Sequence, residues 1–238
     1  MYAMFTHHDA KYQPLADLTW DQNKLIYANK HGYATHVKTD NFQTAGSNSV
    51  MSGFEKIYMA RDLLRDHPEY EWIWWTGTDT MITNMEVRME DRVMNQYHFI
   101  VGADVNGINA DSFLVQNTPE GRAIIDDMLS VEEECMKHWD TEQRAMAIVL
   151  GLPVTASPDW PEPGPIVLNE KYTGIAKVVA QKYMNAYNYS IYREYLDHRD
   201  KTGVNGNWSY GDWLIHWPAL SIPQRIELFH AYMPLVVR

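Results

Sequence analysis

The stretch Glu71–Asn84 reads EWIWWTGTDTMITN. Trp72, Trp74 and Trp75 run into Thr76-Gly77-Thr78-Asp79-Thr80, so the chain's most apolar segment ends on a single carboxylate among hydroxyls. A carboxylate at the tip of a buried strand either serves a binding site or caps a turn, since Asp and Thr are favoured in both turns and caps. The end of the first apolar run, Thr6-His7-His8, is a second cluster of polar side chains that could meet a ligand. Trp208, between Gly206, Asn207 and Ser209, offers an aromatic face in a polar loop. The lone Cys135 excludes an internal disulfide and a multi-cysteine metal site. With Ile124, Met128 and Val131 it forms one helical face, which makes it a small buried hydrophobe rather than a reactive thiol.

Short apolar runs alternate with helical stretches over the first two-thirds of the chain. Strands are expected at Met1–Thr6, Ala34–Lys38, Glu71–Trp75, His98–Gly102 and Ser112–Gln116. Helices are expected at Asp21–His31, Phe54–Leu64, Pro119–His138 and Thr141–Leu150, and a polar loop follows the first strand. This order predicts an α/β fold, Rossmann-like, with a mostly parallel sheet flanked by helices. The tryptophan run fits a strand covered on both faces. Beyond the proline-rich Ala156–Pro165 the chain turns aromatic and loses clear periodicity. The prediction is one domain over 1–238. In open α/β sheets ligands bind beyond the carboxyl ends of the strands, which places Thr76–Thr80 and Thr6-His7-His8 in the crevice.

The bulk composition limits the partners. With 238 residues, 45% of them hydrophobic and 21% charged, the chain can bury a full core. A net charge of −11 argues against nucleic acid or an anionic membrane as partner. No apolar run reaches the length of a membrane span, and no secretory leader pattern opens the sequence, so a cytoplasmic protein is expected.

Three blocks resemble one family. Lys56 and Arg61 precede Pro68 and EWIWW; Gly107-Ile108-Asn109-Ala110-Asp111-Ser112-Phe113-Leu114 is followed by Glu142-Gln143; Gly211-Asp212-Trp213-Leu214-Ile215-His216 comes last. In order and spacing they are similar to the galactomannan galactosyltransferase and xyloglucan xylosyltransferase family, nucleotide-sugar glycosyltransferases of the GT-A fold. The second block corresponds to an Asn-Ala-Gly-Ser-Phe segment of that family. The family's Asp-x-Asp falls on Gly77-Thr78-Asp79, so its first carboxylate is absent here.

The resemblance implies transfer of a hexose or pentose from a nucleotide sugar, UDP-linked, to a glycan or other hydroxyl acceptor, with retention of configuration. It implies Mn2+ or Mg2+ on Asp79 and His216, because a divalent cation stabilises charge building on the diphosphate. Thr6, Lys56, Arg61, Thr78 and Asp79 are then expected to contact the nucleotide or its phosphates. Asn109, Glu142 and Gln143 become the catalytic candidates, and Ala110, Asp111 and Trp208 the sugar and acceptor contacts. The resemblance also divides the domain into a nucleotide-binding half, 1–105, and an acceptor- and sugar-binding half, 106–238. Two other readings stay open. Loss of the acidic residue at Gly77 fits a weak or inactive relative that binds a glycan or nucleotide. A transferase without metal could use Lys56, Arg61 and backbone amides instead.

Overall fold

The computed structural model describes residues 1–40, 42, 51–104, 106–154, 166–192 and 206–238. The Ala156–Pro165 loop expected from its prolines lies outside them. The chain opens on β1 (Tyr2–His7), then α1 (Gln13–Thr19), a π-helical turn (Trp20–Lys24) and α2 (Leu25–His31), and β2 (Ala34–Lys38). It continues through α3 (Glu55–Asp66), β3 (Trp72–Thr76), β4 (Thr80–Ile82), β5 (Phe99–Asp104) and β6 (Gly107–Gln116). After α4 (Pro119–Ser130), α5 (Glu132–Cys135) and α6 (Thr141–Leu150) come β7 (Ala176–Ala180) and α7 (Gln181–Met184). The described part closes with β8 (Leu214–His216) and α8 (Ile222–Tyr232).

Six strands form the central sheet in the order β2-β1-β3-β6-β5-β7. All run parallel except β6, which is antiparallel to both β3 and β5. This reversal matters for function. The amino-terminal half of β6 lies beside the carboxyl end of β3, where Thr76 pairs with Ser112 and the Gly77 N–H donates to the Asp111 carbonyl at 2.9 Å. The sheet joins strands from both predicted halves of the chain. A two-stranded sheet, β4 antiparallel to β8, stands beside it with Thr80 opposite His216.

Both faces of the sheet are covered, and period-two alternation sorts the side chains between them. Phe5, Ile73, Trp75 and Phe113 join the core under α3, α4 and α6. Met4, Trp72, Trp74, Ile100 and Leu114 enter a second core with Trp20, Tyr27 and Trp213. Trp74 stacks on Trp213 at 4.3 Å, and Trp75 meets Phe5 edge-on at 5.4 Å. The tryptophans thus fix β3 from both sides, as a strand buried on both faces requires.

Several boundaries differ from the sequence expectation. The first helical segment starts at Gln13 rather than Asp21, with a proline in its first turn. Within the expected stretch, the π turn carries the polar Asn23 and Lys24 inward, where they are fully buried. The expected helix 119–138 ends at Ser130 and restarts at Glu132, yet Cys135 still packs with Ile124 and Met128 in one core. β4, β7, β8 and α8 were not anticipated. No helix among the described residues is long and apolar enough to cross a membrane.

Candidate active site

Asp79 sits in the loop between β3 and β4, and buried polar side chains of the first helical segment hold that loop. Thr19 Oγ1 donates to the Thr78 carbonyl at 2.7 Å, and Lys24 Nζ donates to the Gly77 carbonyl at 2.6 Å. Asn23 both donates to the Ile82 carbonyl and accepts from its N–H, at 2.9 and 2.8 Å. From the other side the Trp217 N–H donates to the Asp79 carbonyl at 3.0 Å. Thr78 Oγ1 donates to the His7 carbonyl at 3.1 Å, tying the loop to the end of β1. These contacts satisfy backbone groups of the loop and of its flanking strands, the Gly77 carbonyl also accepting from the Thr80 N–H and hydroxyl.

Three side chains converge at this tip. His216 Nε2 lies 3.5 Å from Asp79 Oδ2 and 3.3 Å from Asp111 Oδ2. One ligand atom from each of Asp79, Asp111 and His216 falls within 4.8 Å of the others. His216 is fully buried, and neither ring nitrogen has a hydrogen-bond partner among the described residues. Buried polar atoms are normally bonded, so a buried imidazole without hydrogen-bond partners among the described residues, facing two carboxylates, fits the ligand set of a divalent cation. Oxygen donors with one imidazole match Mn2+, and also Mg2+ where phosphate and water complete the shell.

Two cations flank the cluster. Arg225 of α8, 5% exposed, lies 2.8 Å from Asp79 Oδ2. Lys56 Nζ lies 3.2 Å from Asp111 Oδ1 and 2.7 Å from Glu142 Oε1, and bonds the Ala110 carbonyl at 3.3 Å. Burial alone would raise the Asp79 carboxyl, but Arg225 and His216 outweigh it and hold it well below the usual carboxylate range. For Lys56 burial works downward, and the charges of Glu142 and Asp111 override it and push the amine up. Lys24 has no such close partner. Burial dominates, with only partial compensation from Asp79 and Asp111, and brings its amine down to about 7.

The structure therefore gathers Asp79, His216, Lys56, Asp111 and Glu142, and gives other expected residues different work. Asn109 donates to Asp104 and to Tyr187 Oη, and accepts from the Asp111 N–H at 3.0 Å. Its side chain braces β6 under Asp111 rather than opening toward a sugar. Gln143 Oε1 accepts from the Ala110 N–H at 3.1 Å, fixing the same turn of chain. Arg61 is turned about 140° around α3 from Lys56, forks onto Asp62 and lies over the Tyr58 ring. That rotation takes it away from the carboxylate cluster. Trp208 is half-buried: its Nε1 donates to Thr83 Oγ1 at 2.9 Å and its ring meets Tyr232 edge-on. Thr6 is buried at the end of β1, its hydroxyl without a hydrogen-bond partner among the described residues.

Lys24 and Arg225 were missed by sequence reasoning, and both shape the site. Lys24 reads as an ordinary helical lysine. Arg225 carried a signal: Ser221-Ile222-Pro223-Gln224 is a capping box with proline in the first turn, and it announces the helix that holds the arginine.

Known proteins of related sequence and shape are glycosyltransferases. Residues 4–98 match the galactosyl transferase GMA12/MNN10 family. The chain is 25% identical to the probable alpha-1,6-mannosyltransferase MNN10 of Saccharomyces cerevisiae over 52% of its length and 40% of that protein's. It is 24% identical to an alpha-1,2-galactosyltransferase of Schizosaccharomyces pombe, covering 44% of this chain and 37% of that protein. Identity to xyloglucan 6-xylosyltransferase 2 of Arabidopsis thaliana is 30%, over 44% of this chain and 24% of that one. The matched stretch thus spans two-fifths or less of these relatives.

Among solved structures, a glycosyltransferase involved in glycosylation of the major capsid of PBCV-1 superposes with a TM-score of 0.67 at 14% identity, covering 97% of this chain and 98% of that one. The galactosyltransferase LgtC, solved with donor and acceptor sugar analogues, gives 0.50 at 10% identity, covering 97% and 96%. The chain has the GT-A fold, with its mixed, mostly parallel sheet, and the resemblance to the galactosyl- and xylosyltransferase family is borne out.

Proposed function

We propose that the chain is a metal-assisted glycosyltransferase that moves a hexose or pentose from a nucleotide sugar, UDP-linked, to a glycan or other hydroxyl acceptor. The observation carrying this reading is the meeting of Asp79, Asp111 and His216 within 4.8 Å at the carboxyl end of β3. The matched relatives are named mannosyl-, galactosyl- and xylosyltransferases, which sets the class of reaction. Asp79 and His216 would hold Mn2+ or Mg2+, which supplies Lewis-acid stabilisation of the departing diphosphate.

The protein's own groups do the rest. Arg225 and Lys56 place fixed positive charge beside the cluster, which a chain of net charge −11 needs for binding a diphosphate. Thr19, Asn23 and Lys24 hold the loop rigid, so Asp79 is pre-aimed before the donor arrives. Glu142, held by Lys56 and by Thr141 Oγ1 at 2.5 Å, is the carboxylate a retaining reaction would use against the sugar ring, as nucleophile or as stabiliser of its charge.

The test is release of nucleoside diphosphate from a panel of nucleotide sugars, with Mn2+ and with chelator. Release from one donor that stops on chelation is expected, and Asp79→Asn should lower it by at least about 100-fold. Release that persists with chelator and in Asp79→Asn would refute metal assistance. Binding of every donor without release would favour an inactive glycan- or nucleotide-binding relative.

A further inference from the structure

Gly77 and Asp111 face each other, and their side chains compete for one space. The Gly77 N–H donates to the Asp111 carbonyl, continuing the antiparallel β3–β6 ladder by one residue. A Cβ added at Gly77 would stand 3.0 Å from Asp79 Oδ1, 3.1 Å from Asp111 Oδ1 and 3.4 Å from Asp111 Cβ. A methyl there is already tight, and a carboxylate would run into both aspartates. Gly77 has φ outside the left-handed region, so its backbone does not demand glycine. The space does.

We propose that positions 77 and 111 have exchanged roles: the carboxylate absent from the β3–β4 loop is supplied across the sheet by Asp111, as a ligand of the cation held by Asp79 and His216. The inference rests on the metal-assisted reading above and adds a ligand to it. Asp111 Oδ2 is 3.3 Å from His216 Nε2, nearer than Asp79 Oδ2 at 3.5 Å. The independent sign of a ligand is His216, fully buried with both ring nitrogens lacking hydrogen-bond partners among the described residues. Its Nε2 faces two carboxylate oxygens, an arrangement a divalent cation satisfies and a neutral imidazole alone does not. The Asp111 side chain is aimed from both ends of the local chain: its N–H donates to Asn109 Oδ1, and Lys56 holds its Oδ1. The other oxygen is left toward His216. Asn109, Lys56 and Gln143 are thus positioning residues for Asp111.

The exchange makes a reciprocal prediction that an ordinary Lys56–Asp111 ion pair does not. Mn2+ binding to the chain is measured by loss of the free-ion electron paramagnetic resonance signal, without donor and with UDP, for the wild type, Asp111→Asn, Asp111→Gly, Gly77→Asp and the double variant Gly77→Asp/Asp111→Gly. Thermal melting checks that each folds. Asp111→Asn and Asp111→Gly should weaken Mn2+ binding by about tenfold or more, consistent with losing a ligand. Gly77→Asp alone should melt lower through crowding, and the double variant should recover Mn2+ affinity to within about threefold of wild type. Wild-type affinity in folded Asp111→Asn, or a double variant no better than Asp111→Gly, overturns the exchange while leaving metal assistance standing. Absence of Mn2+ binding by the wild type, even with UDP, overturns both.

Discussion

At the scale of single residues, the site is governed by charges that offset one another. Asp79 lies below the usual carboxylate range because Arg225 and His216 outweigh its burial. A depressed carboxylate stabilises the fold above its unfolded value and loses that contribution as pH falls toward the folded one. Arg225 is itself buried, so removing Asp79 strands a guanidinium. Asp79→Asn should therefore cost about 3 kcal/mol in denaturant unfolding without metal, and much less in an Arg225→Met background. Additive effects in that double-mutant cycle would show that the two do not act as a pair. Asp79 was legible in the sequence because a three-tryptophan strand ends just before it. Its partner was not, since no local pattern says which of the chain's arginines will fold back 146 residues later onto that loop.

At the scale of elements, the helical segment 13–31 acts as the clamp. Its π turn brings two successive polar residues, Asn23 and Lys24, inward. Asn23→Ala would leave the Ile82 N–H and carbonyl unpaired in a dry site, costing about 2 kcal/mol by equilibrium unfolding. A loss near zero would mean that water or another side chain takes over these bonds.

Lys24 gives the same element a pH signature. Its folded value is about 7 against an ordinary 10.5, so the unfolded chain binds more protons between those limits. Stability from this group should rise as pH climbs from about 7 toward 10, and should be lowest below 7, where the buried amine must stay charged. Comparing melting of wild type and Lys24→Met across that range checks it, since the variant should lack this rise. The helix was legible from Asp21 onward, and the structure extends the helical segment back to Gln13. β4 and β8 are three residues each, too short to show any period, and their pairing is a tertiary fact. The single reversed strand, β6, could not be read from its apolar residues either, because alternation carries no direction.

At the scale of the whole molecule, the fold class could be read from residue order, and Asp79 and His216 were singled out there as ligand candidates, whereas Asp111 was expected as a sugar contact. The positive charge could be read only in part: Lys56 was expected, whereas Lys24 and Arg225 come from distant segments of a chain of net charge −11 and join it only through folding. Ligand binding should therefore feed directly into global stability. At one hundred times its dissociation constant, Mn2+ with UDP adds about 2.7 kcal/mol, or roughly 5–10 °C of melting temperature for a chain this size. Scanning calorimetry with and without both ligands measures it, and an unchanged melting point would contradict the proposed site.

The lone cysteine gives a way to watch such opening events. Cys135 is fully buried, and burial in an apolar surrounding pushes its thiol up to about 11. Only the thiolate attacks alkylating reagents, so the native chain should resist iodoacetamide. Modification would then proceed at the pace of rare breathing of the α4–α6 layer, and one mass-spectrometric adduct would serve as a clock for it.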